Sequence, residues 1–275
     1  MNIAVIIPAA GSSRRYNESA RAELGMDADV TKQKIDEDLG GRPMLQRTVE
    51  LFNKHPDVSV VIVAGPADAA AYSSFKDRHA DKLGLLGAKL CQGGANHRYE
   101  TVANALKLVP ESCTHVAVHD AARPCASPEL IERVFEAAAA GHNAVVPGID
   151  APDTLKRVSA ETIAAKKADP LAAILGEDSS TKAKARAVVE TIDRTRIVCI
   201  QTPQLFERTL LLKAYAQKDL SSTDDAQLVE RLGERVIVVE GDSTNIKVTR
   251  SADIRLARAI LGVRPPAQRE AHKRF

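Results

Sequence analysis

The stretch Asn2 to Pro8 (NIAVIIP) is apolar from its second residue on, rich in β-branched side chains, and followed by a turn containing Gly11. A strand with that text is buried on both faces, as a helix-covered parallel sheet provides and a half-solvated antiparallel sheet does not. Val58 to Ala64 (VSVVIVA) repeats the pattern, and further strands are predicted near Lys89–Cys91, His115–His119 and Asn143–Pro147. Pro43 suits the first position of a helix that turns Leu45, Val49 and Phe52 inward, and helices are expected near Glu100–Val109 and Pro128–Ala140. The resulting β-α rhythm specifies an α/β class with a mostly parallel twisted sheet. Helices cover both faces, and ligands lie outside the carboxyl ends of the strands.

Between about residues 150 and 200 the rhythm breaks. Thr154–Val158 and Val188–Ile192 read as two strands of a projecting β-arm, and Ser159 to Ala187, rich in Ala and Lys, as its mobile or partly helical tip. Helices then follow from Glu207 and Asp224, strands at Arg235–Val239 and Asn245–Thr249, and a last helix from Ser251 to Leu261 with Ser251 as its N-cap. The expectation is a single domain over residues 1–262, an arm excursion, and a frayed tail from 263 to 275.

Composition narrows the function. With 275 residues, 44% apolar and 27% charged, the chain is long enough for a sizeable core. Its 38 Lys and Arg nearly balance 36 Asp and Glu, and it has no Trp, which argues against nucleic acid as a partner. No apolar run is long enough for a membrane span and no signal peptide is visible, so the expected location is cytoplasmic with no membrane partner. The four cysteines lack CxxC spacing and read as reduced thiols.

Four groups of residues can carry chemistry. Pro8-Ala9-Ala10-Gly11-Ser12-Ser13-Arg14-Arg15 is either a phosphate cradle, in which small residues bring backbone N–H groups close and Arg adds charge, or an ordinary strand-to-helix turn. It matches neither GxGxxG nor GxxxxGK[ST]. Thr31-Lys32-Gln33-Lys34 offers an ammonium for a polyphosphate, or a solvated loop. In Val116 to Pro124, a strand ends in Asp120, where a carboxylate can hold Mg²⁺, and Arg123 can hold a second anion; His119 reads as a buried supporting histidine. The last group is dispersed. It comprises Asp153 to Arg157, Thr191 to Arg194, Gln201 to Phe206, Thr223 to Ala226 and Asn245 to Thr249, which repeat a hydroxyl with Lys or Arg, as a phosphorylated polyol requires.

In order and text these blocks, with Gly93-Gly94 to Thr101-Val102, resemble the 2-C-methyl-D-erythritol 4-phosphate cytidylyltransferase family of the non-mevalonate isoprenoid pathway. The resemblance implies a Rossmann-like nucleotidyltransferase fold, a homodimer completed by the β-arm, and Mg²⁺-dependent transfer of cytidylyl from CTP to methylerythritol phosphate. On that basis Ala9, Ala10, Gly11, Arg15 and Lys32 hold the CTP phosphates, Arg15 and Lys32 being catalytic. Gly94 and Thr101 lie by cytosine and ribose, and Asp120 serves the metal and triphosphate. Arg123, Thr223 and Lys247, with Thr154 and Arg194 from the other subunit's arm, hold the polyol phosphate. A ribitol 5-phosphate cytidylyltransferase and a non-catalytic nucleotide-binding protein are the alternatives.

The chain departs from the family pattern in several places. The loop over residues 16–31 is longer, Ser13 replaces the second glycine, and Thr31 replaces a proline, leaving Lys34 as the substitute for Lys32. The Gly93 to Val102 segment carries an extra residue, Thr244 replaces an acid for which Asp242 can compensate, and the arm carries a long insert.

Overall fold

The computed structural model describes residues 1–24, 32–163 and 185–265. Thr31, most of the arm tip and most of the predicted tail lie outside them. The chain divides into two compact units, Met1–Ile149 with Ile200–Phe275, and Asp150–Cys199, where the sequence predicts one domain with an excursion.

In the first unit, β1 (Ile3–Pro8) is the buried central strand. Ile3, Val5 and Ile7 face one core while Ala4 and Ile6 face another, as the two-residue period of a strand requires. The first core is closed by α2 (Met44–Glu50), α3 (Ala69–Leu85), α5 (Pro128–Ala139) and α8 (Ser251–Ile260), through residues such as Leu45, Phe75, Phe135 and Ile254. The second is closed by α4 (Arg98–Leu106), α6 (Arg208–Tyr215) and α7 (Ala226–Glu230). A sheet buried on both faces is the outcome expected from the text of β1.

The other strands are β2 (Val58–Gly65), β3 (Lys89–Gln92), β4 (His115–Val118), β5 (Ala144–Asp150), β8 (Val198–Ile200), β9 (Gln204–Glu207) and β10 (Ile237–Glu240), with β6 (Leu155–Val158) and β7 (Val188–Ile192) in the second unit. The sheet runs β10-β5-β9-β4-β1-β2-β3. Along this path the ladders are parallel except around β9, which is antiparallel to β4 and to β5, and β8 pairs with β5 off the path. From β1 the chain moves to β2 and β3 on one side and returns to β4 on the other. The crevice outside the carboxyl ends of β1 and β4 is therefore a topological switch point.

Several local expectations are corrected. Of the expected loop over residues 16–31, the described residues 16–24 are helical, in α1 (Arg14–Leu24), which buries Tyr16 and Ala20, one helical turn apart, behind an otherwise polar surface. Asn245–Thr249 is no strand. Asn245 donates its N–H to Asp242, Ile246 to Thr244 and Val248 to Ala122, so no ladder forms. At α8 the N-cap is Arg250, not Ser251. Asp253 Oδ2 accepts the N–H groups of Thr249 (2.7 Å) and Arg250 (2.8 Å), and Ser251 instead donates its N–H to Ser19 Oγ (2.8 Å).

The second unit contains β6 (Leu155–Val158) paired antiparallel with β7 (Val188–Ile192), with Lys156 opposite Thr191 and Arg157 opposite Glu190. Arg157 Nε lies 3.0 Å from Glu190 Oε1, and Val188 and Val189 are both exposed.

Candidate active site

Neighbouring strand ends and one helix start build a cleft of about 390 Å³. Its walls are Pro8 and the Ala10–Ser12 turn after β1, the Gly94–Arg98 loop after β3 with Thr101 of α4, and Asp120 after β4. Gly94 donates its N–H to the buried Thr101 Oγ1 at 3.1 Å, tying the loop onto α4. A Cβ on Gly94 would stand 2.1 Å from Glu100 Cβ, and one on Gly93 2.5 Å from the Gly65 carbonyl oxygen, so both positions need the bare backbone.

Asp120 is the electrostatic centre. Its Oδ2 lies 2.7 Å from Lys247 Nζ and 3.8 Å from Arg123 Nε, and its Oδ1 lies 3.5 Å from Arg98 Nε. Burial pushes this carboxyl up, but Arg98, Lys247 and Arg123 outweigh it and hold it well below the usual carboxylate range. Arg98 also donates to Asp225 Oδ2 at 2.7 Å, and Asp225 in turn accepts the Tyr215 hydroxyl. The cations in this group outnumber the carboxylates, which favours the arrival of an anion.

A chain of hydrogen bonds fixes the turn that carries Asp120. Its N–H donates to Thr202 Oγ1 (3.1 Å), which lies 3.2 Å from His119 Nδ1, while His119 Nε2 lies 3.0 Å from the Arg123 carbonyl oxygen. A carbonyl only accepts, so Nε2 carries the proton and Nδ1 accepts from the Thr202 hydroxyl. Burial lowers the imidazole to about 4, keeping it neutral at pH 7. His119 is thus a supporting residue, as its text suggests.

The lysines sort differently from the expectation. A second cavity, about 260 Å³, is lined by residues Gly11 to Tyr16, Lys34 and Thr249, and it shares Gly11 and Ser12 with the first. Lys34 Nζ donates to the Val248 carbonyl oxygen at 2.9 Å. Burial, with the charges of Lys247 and Arg15 added and that of Asp120 opposing, lowers its ammonium to about 8. Lys32 lines a separate cavity among Asp36, Glu37, Asp38, Arg78 and Arg258. The lysine that meets the Gly11–Arg15 turn is therefore Lys34, because the short 3-10 turn Lys34–Asp36 begins there and carries it inward.

Among the expected polyol-binding residues, Arg123 and Lys247 meet at Asp120. Thr223 is exposed, with its N–H donated to Gln227 Oε1 at 2.9 Å. Thr154 and Arg194 lie in the second unit, where Arg194 donates to the carbonyl oxygens of Ala151 and Pro152 and Thr154 is exposed.

Among the described residues no group of three or more His, Cys, Asp or Glu could hold a metal ion. Asp242 does not compensate, since its carboxylate accepts from Ser127 Oγ (2.6 Å) and from the N–H (2.7 Å) and hydroxyl (2.6 Å) of Thr244. The donor set fits Mg²⁺ arriving on a polyphosphate, with Asp120 as its protein carboxylate, rather than a cage built by the chain.

The family model described as IspD, 2-C-methyl-D-erythritol 4-phosphate cytidylyltransferase, matches residues 3–171 and 162–263. The chain belongs to that family. A protein of Frankia casuarinae bearing the same description is 36% identical over 265 residues, covering 96% of this chain and 83% of that one. One from Streptomyces avermitilis is 36% identical over 262 residues, covering 95% and 92%. The crystal structure of the Thermus thermophilus cytidylyltransferase superposes with a TM-score of 0.66 at 32% identity, covering 96% of this chain and all of that one. Sequence reasoning within this cytidylyltransferase family missed Arg98 and Asp225. Arg98 falls in the segment with an extra residue, and Asp225 stands two places after Thr223 in a block already singled out.

Proposed function

We propose that the protein transfers the cytidylyl group of CTP to 2-C-methyl-D-erythritol 4-phosphate, giving 4-diphosphocytidyl-2-C-methyl-D-erythritol and pyrophosphate. The observation that carries this reading is the gathering of Arg98, Arg123 and Lys247 on Asp120 at the mouth of a cleft edged by the Ala10–Ser12 turn. A phosphate monoester, with a second pKa of about 6, is largely dianionic at neutral pH, so no strong base is needed. One of its oxygens attacks the α-phosphorus and the bond to the β-phosphate oxygen breaks, with pyrophosphate taking the electron pair. Catalysis is alignment and charge stabilisation.

Each residue has a task in this reading. The N–H groups of Ala10–Ser12 and the charges of Arg15 and Lys34 hold the triphosphate, the expected Ala9 N–H being spent instead on the Ala64 carbonyl oxygen at 2.7 Å, and Lys34 neutralises charge developing on the α-phosphoryl oxygens. Arg123 and Lys247 bind the attacking phosphate. Gly94 and Thr101 bound the pocket for cytosine and ribose. Asp120 would hold a Mg²⁺ ion, which would supply further neutralisation of the triphosphate charge. A homodimer is part of the proposal, with Thr154 and Arg194 of one arm serving the other copy's site. An isolated two-stranded hairpin with exposed Val188 and Val189 is marginal in water and gains by being covered. A cytoplasmic location is proposed with it; no described helix is long and apolar enough to cross a membrane.

The test is pyrophosphate release with Mg²⁺, pairing CTP, UTP or ATP with methylerythritol phosphate or ribitol 5-phosphate. Release confined to CTP with methylerythritol phosphate is expected. A preference for ribitol phosphate would overturn the polyol assignment, and CTP binding without release would leave a nucleotide-binding protein. A second expectation concerns Gly94→Ala. Its methyl cannot fit against Glu100, so CTP affinity should fall at least about tenfold and stability by about 1–3 kcal/mol. Calorimetric titration and urea unfolding check both.

A further inference from the structure

Ser13 is a buried non-glycine residue held at φ 55, in the left-handed region that L side chains rarely adopt. Glycine would adopt that conformation freely, so a serine kept there points to a task for its side chain. That side chain has two partners far along the chain. Ser13 Oγ accepts the Lys34 N–H at 3.1 Å and donates to Gln33 Oε1 at 3.2 Å. Lys34 begins a 3-10 turn that ends at Asp36, and a turn this short has little hold on its own first residue. Its ammonium is fastened at the opposite end, to the Val248 carbonyl oxygen.

We propose that Ser13 is a positioning residue that clasps the start of the Lys34 turn to the Ala9–Ser13 turn, fixing the distance between the lysine and the backbone N–H groups that bind the same phosphates. The proposal rests on the reading of that turn and Lys34 as the triphosphate site. One hydroxyl thereby replaces a covalent constraint between two segments separated by α1 and residues 25–31. The ammonium of Lys34 faces Arg15 from α1, Lys247 and Asp120 beside the cleft, and Asp253 of α8, so a small displacement changes its whole electrostatic setting.

Ser13→Gly and Ser13→Ala test the clasp together, since both lack the hydroxyl but only glycine relieves the strain. Two readouts are needed. In the nucleotide-free protein, hydrogen exchange at the Lys34 amide should accelerate about tenfold in both variants, as expected for loss of one hydrogen bond. In steady-state pyrophosphate release, kcat should fall about tenfold to a hundredfold in both, with KM for CTP within about threefold, because the lysine is present but displaced. A purely structural role would lower the unfolding temperature and leave kcat of the folded fraction unchanged. The proposal is overturned if Ser13→Gly keeps wild-type kcat, or if the Lys34 amide exchanges as in the wild type. Should the wild type itself release no pyrophosphate from CTP, the functional reading fails, and the exchange measurement still decides whether the clasp exists.

Discussion

Lys34→Gln is expected to lower kcat for cytidylyl transfer about 10²–10³-fold, the usual loss when one preorganised donor to a developing oxyanion is removed. Lys32→Gln should leave it within about twofold, as for other exposed charges away from the reacting atoms. Sequence alone offers both lysines two positions apart; the contrast follows from which cavity each one lines. The same residue sets a pH dependence. Burial lowers the Lys34 ammonium to about 8, and only the cation can neutralise phosphoryl oxygens. In the free enzyme kcat/KM should therefore be level with respect to this group below about pH 8 and fall as pH rises through that value. Lys34→Arg, which keeps its charge, should abolish this basic limb even where it lowers the rate. Pyrophosphate release between about pH 6.5 and 9.5 for the wild type and Lys34→Arg checks both statements. An unchanged limb in Lys34→Arg would assign the titration to another group.

The parts of the fold that were legible in the sequence are those whose burial leaves a direct pattern. β1 and β2 are apolar on both faces and are written as continuous apolar runs. α5 carries Ser127 as N-cap, accepting the Leu130 N–H, and Pro128 in its first turn. Elements that bury little were missed: α3 turns only Phe75, His79 and Leu83 fully inward along its length, and α1 is mostly polar. β9 was hidden for another reason. Its residues Gln204 to Glu207 mix polar and apolar text because Gln204 spends its amide on Asp224 and on the N–H groups of Asp225 and Ala226. At the site, Asp120, Arg123 and Lys247 could be named from text, since strand ends and motif order place them. Lys34 over Lys32, Arg98 with Asp225, and the Ser13 contacts depend on where separate segments meet, and no local pattern encodes that.

Asp120→Asn carries the largest expected effect on stability. The carboxylate is the common partner of Arg98, Arg123 and Lys247, and its removal leaves those cations facing one another. Breaking a buried pair costs roughly 3–5 kcal/mol. Here about 3 kcal/mol is expected, because Lys247 is 42% exposed and water shields part of its charge. The folded-state pKa of Asp120 is depressed, so its contribution is fully present above the unfolded value near 3.9 and is lost as pH falls through the folded value. The gap in stability between wild type and variant should be constant from about pH 5 to 8 and narrow below about pH 4. Urea unfolding at about pH 7 and about pH 3.5 measures it. An anion added to the variant should then do what the carboxylate did. Pyrophosphate, which binds only the folded state, should raise the urea midpoint of Asp120→Asn more than that of the wild type, whatever the variant's turnover. Equal shifts in the two proteins would mean that the three cations are not the anion site, and would remove the observation on which the assignment of the cleft depends.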